Sequence, residues 1–264
     1  MPIEWLLYPV LGLAAGLLAG LLGVGGGLVL VAALVLLLPA QGVPAEHAVH
    51  AALASSLASV VITSLASTRA HARRGSVAWS SAAWLAPGLL LGGWLGSLVA
   101  TRMDGEALRL FVVAYCVIAA AQLLWGGQRQ GDDGAEAPRG PALSAAGIGI
   151  GAVSALVGIG GGSMTVPLLI WRGLAPVRAV ATSSACGVVI GLSAASGYAL
   201  RGDVAGMPAG SLGYVFLPAA IGISLTSAWM APRGAALAHR IGGLALRRVF
   251  AGFLLAMALL LLRS

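Results

Sequence analysis

The chain contains no lysine, two cysteines and eight carboxylates among 264 residues, and charged residues make up only 9% of it. Soluble domains carry charge at roughly a quarter of their positions, so this composition excludes an ordinary soluble fold. In place of charge there is 59% hydrophobic residues and a mean hydropathy of +0.98. A bilayer crossing takes about 20 apolar residues, so the chain has room for roughly eight to ten hydrophobic helices and for no soluble catalytic or nucleic-acid-binding domain beside them. The eight acids (Glu4, Glu46, Asp104, Glu106, Asp132, Asp133, Glu136 and Asp203) all fall at the ends of apolar runs or between them. A carboxylate proton relay inside the membrane therefore has no candidate. Cys116 and Cys186 sit inside apolar runs and read as small hydrophobes, not as a disulfide or metal pair. No metal or cofactor is expected, and no enzyme activity. The first residues lack the positive segment of a signal peptide, so the first apolar run is expected to belong to the mature fold.

What is present is a series of eight apolar stretches, near 5–38, 48–68, 77–100, 110–126, 142–171, 179–200, 204–231 and 249–262. Long apolar runs without two-residue alternation predict helices and exclude a β-barrel. Trp5, Trp79, Trp125, Trp171 and Trp229 lie near stretch ends, where interfacial belts form. The hydrophilic segment from Gly126 to Pro141 reads as a linker. It divides the chain into a membrane repeat over 1–126, a loop over 127–141 and a second membrane repeat over 142–264.

The halves resemble one another. Gly23-Val24-Gly25-Gly26-Gly27 and Gly158-Ile159-Gly160-Gly161-Gly162 are each followed by an apolar run and a proline, Pro44 or Pro176. Next come Ala54-Ser55-Ser56 and Ala181-Thr182-Ser183, then a proline within an apolar stretch, Pro87 or Pro218. If every stretch crossed once, arginines would divide evenly between the two sides. If the two long stretches instead bend back at their glycines, one side collects Arg69, Arg73, Arg74, Arg129, Arg139, Arg172, Arg178, Arg233, Arg240, Arg247 and Arg248 and the other only Arg102, Arg109, Arg201 and Arg263. The positive-inside rule favours the second version, which makes the halves inverted-topology repeats, each with a glycine-broken first helix, and puts both termini outside.

Four glycines in five positions, twice, are costly in a spanning helix: each costs about 1 kcal/mol relative to Ala, and freed backbone groups in hydrocarbon must find partners. A broken helix whose following segment points N–H groups and a positive dipole end at membrane depth would be a charge-neutral anion site. Close helix packing is the other use of such glycines, which Gly12, Gly16 and Gly20, or Gly88, Gly92 and Gly96, illustrate better. Nucleotide-binding loops are excluded, because neither cluster is followed by Gly-Lys-Ser/Thr or lies in a βαβ unit. Ser55, Ser56, Thr182, Ser183, Ser163 and Thr165 are candidates to donate hydroxyls to an oxyanion or, equally, to link helices. His50 is the titratable group at the membrane edge, with either a proton-coupling or a structural role. His71 and His239 read as members of positive loops. Candidate substrate-binding residues are thus Gly23, Gly25, Gly26, Gly27, Gly158, Gly160, Gly161, Gly162, Ser163, Thr165, Ser55, Ser56, Thr182 and Ser183.

The paired glycine clusters with the following proline and Ala-Ser-Ser or Ala-Thr-Ser segments resemble the sulfite exporter TauE/SafE family of membrane permeases. Further segments are similar to the family's: Ser67 to Val77 with Pro87-Gly88, Gly213-Tyr214, Ala231-Pro232-Arg233-Gly234, and Ala238-His239-Arg240. The resemblance covers nearly the whole chain. It implies transport of small sulfur-containing anions such as sulfite or sulfonates, commonly outward across the cytoplasmic membrane. The expected partners are a small anion and the lipid bilayer, with no nucleic acid; a passive anion channel is the alternative.

Overall fold

A computed structural model describes residues 4–23, 26–125, 136–201, 206–238 and 243–263. Among them the protein is a bundle of α-helices: α1 (Glu4–Leu22), α2 (Gly27–Leu37), α3 (Ala48–Ala72), α4 (Trp79–Ala100), α5 (Gly105–Trp125), α6 (Pro141–Val157), α7 (Gly162–Trp171), α8 (Pro176–Arg201), α9 (Leu217–Ala238) and α10 (Gly243–Arg263). The spans Ala45–Ala72, Trp79–Ala100, Gly105–Gln122 and Pro176–Arg201 are each long and apolar enough to cross a bilayer. The first and fifth apolar stretches are each split into a long and a short helix, and the splits fall at the glycine clusters. The linker expected over 127–141 lies largely outside the described residues; α6 opens on Pro141, a residue suited to a first helical turn because its missing N–H has no acceptor there.

One expected helix is shorter than its stretch. Residues 206–216 of the stretch 204–231 form turns and a hairpin of β1 (Ser211–Leu212) and β2 (Val215–Phe216), with Ser211 opposite Phe216. Gly206, Gly210 and Gly213 take φ values of 78°, 90° and 57°, and Pro208 sits between them; neither feature suits a helix. At its far end α9 runs beyond residue 231, through Pro232 to Ala238.

The bundle is sorted as a membrane protein is. Leu90, Leu91, Leu95 and Val99 of α4 and Ile221 and Leu225 of α9 are exposed, while Ser55, Ser56, Ser59, Thr63, Ser67, Thr182 and Ser183 are buried. Lipid tails are as apolar as leucine, so leucine gains little by moving inward and stands on both faces, while the closest helix contacts go to small residues that let backbones approach. Trp79, Trp125 and Trp171 are exposed at helix ends, where an interfacial belt needs them, whereas Trp229, expected near the end of its stretch, is exposed midway along α9 because that helix continues to Ala238. Cys116 and Cys186 are buried free thiols.

Long-range packing crosses between the halves. α1 packs on α9 and α6 on α4, α3 lies against α8, and α5 against α10. The glycines expected to pack closely do so: a Cβ on Gly96 would lie 2.5 Å from Ala152 O, and those on Gly16, Gly88 and Gly92 would overlap the carbonyls of Ser227, Ser144 and Ile148.

The two ends of α3 mark the two ends of the bundle. Where α3 starts, His50 Nε2 lies 3.1 Å from both Ala100 O and Met103 O. There the His50 ring stacks on Tyr214 with centroids 5.0 Å apart, and Tyr8 donates its hydroxyl to Gln41 Oε1 at 2.6 Å. Where α3 stops, the Ala78 N–H donates to Thr182 Oγ1 at 2.9 Å and Ser81 donates to Pro138 O at 2.7 Å. α8 begins at this second end and finishes at the first, where the Tyr214 N–H bonds Tyr198 O, so α3 and α8 are antiparallel.

His71 corrects the sequence reading. It is not in a loop but in the last turn of α3, fully buried, with Nε2 3.4 Å from Gly20 O. Extending α3 to Ala72 turns Arg69, Arg73 and Arg74 outward and this residue inward. His239 lies outside the described residues.

Candidate functional site

Each break is framed by a pair of left-handed glycines. Gly23 (φ 67°) and Gly158 (φ 76°) end α1 and α6, their N–H groups bonding Ala19 O and Ser154 O at 2.9 Å. Gly26 (φ 68°) and Gly161 (φ 75°) then sit at the N-caps of α2 and α7, with no side-chain cap on either. A side chain at such φ values costs roughly 1–2 kcal/mol, which is why glycine occupies all four. Gly25, with Val24, lies outside the described residues.

The two breaks meet. A Cβ on Gly27 would run into Gly158 O and come within 3.0 Å of Ile159 Cα. The Ser56 hydroxyl sits over this contact and is shared between Gly27 O at 3.1 Å and Gly158 O at 2.9 Å. Ser183 makes the corresponding bond from the other half, donating to Gly23 O at 2.9 Å. Ser55 and Thr182 are matched in the same way. Ser55 Oγ accepts the Phe216 N–H just before α9, and Thr182 Oγ1 accepts the Ala78 N–H just before α4, both at 2.9 Å. Thr182 also donates back to Arg178 O at 2.7 Å. Each Ser/Thr pair thus binds backbone of the opposite half, and the hydroxyl protons of Ser56, Ser183 and Thr182 are committed to carbonyls.

The remaining candidates cluster around the second break. Gly160 O lies 3.3 Å from where a Cβ on Gly187 would stand, and Gly162 opens α7. Ser163 shares a short hydrogen bond with Tyr115 of α5. Thr165 is fully buried, and its Oγ1 has no partner. His50 lies apart from the breaks, in the first turn of α3, buried against the end of α4.

One residue escaped the sequence reading. Ser154, one turn before the second break, is fully buried with an unpartnered hydroxyl 3.1 Å from where a Cβ on Gly161 would stand. Its signal was available only by laying one half on the other, where it falls opposite Ala19. Among the described residues no cluster of His, Cys, Asp and Glu could hold a metal. What the breaks offer is neutral: hydroxyls, carbonyls, and the N–H groups of the first two residues of α2 and of α7, which come too early for an intrahelical acceptor.

The family model described as Sulfite exporter TauE/SafE matches residues 8–261. A "Probable membrane transporter protein" of Haemophilus influenzae is 35% identical over 256 residues, covering 96% of each chain. The Bacillus subtilis "Probable membrane transporter protein YunE" is 27% identical over 199 residues, covering 69% of this chain and 73% of its own. A "Probable membrane transporter protein" of Xylella fastidiosa strain Temecula1 is 32% identical over 179 residues, covering 64% of each chain. No solved structure matches. A multi-pass helical bundle with paired glycine breaks, matched to one family over nearly its whole length, belongs to the TauE/SafE sulfite exporter family of membrane transporter proteins.

Proposed function

We propose that the protein is a secondary carrier of small sulfur-containing oxyanions, such as sulfite or sulfonates, exporting them across the cytoplasmic membrane. The observation that carries this reading is the contact of the two glycine breaks inside the bundle, Gly27 against Gly158 under the Ser56 hydroxyl. Helix breaks at membrane depth where two repeats meet are the usual place for a carrier's substrate. A neutral donor set binds an anion without the buried guanidinium that would trap it. In this reading Ser55, Ser56, Thr182 and Ser183 hold the halves together around the site, and rocking of one half against the other exchanges access.

The halves are read as inverted repeats of α1–α5 and α6–α10. Supporting this, α1 pairs with α9 as α6 pairs with α4, and α3 runs antiparallel to α8. Arg69, Arg73, Arg74 and Arg139 lie towards the end where α3 stops, whereas Arg102 and Arg109 flank the α4–α5 turn at the end where α3 starts. By the positive-inside rule the end where α3 stops is cytoplasmic. Tags at residue 130 and at the C-terminus are expected on opposite sides, cytoplasmic and external, in an accessibility assay on intact cells; the same side for both would discard the inverted arrangement.

The transport reading is tested with labelled sulfite and labelled methanesulfonate in proteoliposomes. Flux is expected to saturate, to show counterflow when unlabelled anion is placed on the far side, and to respond to an imposed pH gradient if protons are coupled. Flux linear in concentration without counterflow would indicate a channel, and no flux of either anion would remove the substrate assignment.

A further inference from the structure

The two breaks are alike in backbone and unlike in side chains. Laying Gly23 on Gly158 puts Ala19 opposite Ser154, Leu28 opposite Ser163 and Leu30 opposite Thr165. At the first break these positions are apolar; at the second all three carry hydroxyls. Two of the three have nothing to bond. Ser154 Oγ, beside Gly161, and Thr165 Oγ1, one turn into α7, are buried without a partner, although the Thr165 N–H bonds Gly161 O at 2.8 Å. Other buried helical hydroxyls fold back on the preceding turn, Thr63 on Ser59 O at 2.9 Å, Ser184 on Val180 O at 3.2 Å and Ser224 on Ala220 O at 2.6 Å, while Thr68 of α3 also lacks a partner but stands alone, away from the breaks. A buried hydroxyl with no acceptor is a standing loss of stability, and these two lie on either side of the start of α7, where the Met164 and Thr165 N–H groups bond Gly161 O but those of Gly162 and Ser163 come too early for an intrahelical acceptor.

We propose that Ser154 and Thr165, with the N–H groups of Gly162 and Ser163 at the start of α7, form a one-sided oxyanion subsite at the second break, and that the first break is its apolar, close-packed counterpart. The inference rests on the carrier reading above and narrows it. A sulfite or sulfonate group brings three acceptor oxygens to a site that presents hydroxyl and N–H donors and no formal charge. Ser163, already bonded to Tyr115, stands at the rim.

The test is binding measured as anion-dependent stabilisation of the purified protein by sulfite and by methanesulfonate, with chloride as the ionic-strength control, on wild type, Ser154→Ala, Thr165→Val and Thr165→Ser. Losing one hydrogen bond to a charged ligand weakens binding about tenfold or more, so the apparent Kd is expected to rise by that factor in Ser154→Ala and Thr165→Val. Thr165→Ser, which keeps the hydroxyl, is expected to bind like wild type. Without ligand neither Ser154→Ala nor Thr165→Val is expected to melt lower than wild type, because the hydroxyl removed had no partner, so loss of binding and loss of fold separate. If Ser154→Ala does not fold, Thr165→Val decides alone. Wild type stabilised by an anion, with unchanged Kd in Ser154→Ala and Thr165→Val, would overturn the subsite and leave the carrier reading intact. No stabilisation of wild type by either anion would overturn both.

Discussion

Replacing Gly27 with alanine is expected to reduce anion flux at least about tenfold while leaving a protein that still inserts and purifies as a single species. The added methyl would meet Gly158 O and approach Ile159 Cα to 3.0 Å, both of them backbone atoms of the other half, so no rotamer change relieves the overlap. Forcing extra volume into a packed contact costs about 1–3 kcal/mol, enough to part the two breaks without unfolding a whole bundle. Parting them also loosens the hydroxyl of Ser56 from one of its two carbonyls. Gly161 makes a useful contrast. A Cβ there would first meet the mobile tip of Ile190, so alanine at 161 is penalised by its φ of 75° and hardly by space. Flux at the wild-type rate in Gly27→Ala would show that transport does not depend on this contact.

Gly92→Leu is expected to prevent recovery of folded protein. Gly88, Gly92 and Gly96 of α4 let its backbone touch α6, and a side chain at Gly92 would be driven into Ile148 O and the Ile148 Cα behind it. Whole-helix separation loses the small-residue packing that stands in for the hydrophobic effect inside lipid, and the penalty should reach about 3 kcal/mol or more. Gly149→Leu is the matched control: it lies on α6 itself but faces outward, with nothing near its missing Cβ. Yield of monodisperse protein in mild detergent and its melting temperature should collapse for Gly92→Leu and stay at the wild-type level for Gly149→Leu. Equal yields would mean that the α4–α6 contact is not what holds the bundle.

Much of this architecture can be read from the chain because it is expensive. Four glycines in five positions cannot continue a helix cheaply in hydrocarbon, so the breaks at Gly23–Gly26 and Gly158–Gly161 are legible in the sequence alone. The hairpin at 211–216 was hidden because its residues are as apolar as the helix that follows; only the glycines and Pro208 distinguish them. The arginine neighbours of His71 point to a loop, whereas in the helix it is rotation about the axis that turns Arg69, Arg73 and Arg74 outward and His71 inward. The hydroxyls of Ser55, Ser56, Thr182 and Ser183 had two readings in one dimension, and their bonds to the opposite half exist only in three. Ser154 resembles any small residue of a close-packed helix until its lack of a partner is seen.

The exchange of partners between halves has a consequence for how the chain is made. α1 packs chiefly on α9, and α6 on α4, so α1 leaves the ribosome long before the surface it faces is synthesised. Until then its glycine ridge, Gly12, Gly16 and Gly20, meets lipid or whatever insertion machinery shelters it. The first half expressed by itself would carry that ridge, and the matching one on α4, permanently bare. Biogenesis of this protein is therefore a problem of waiting as much as of insertion, and truncation anywhere before α9 should yield a product that the cell's membrane proteases treat as unfinished.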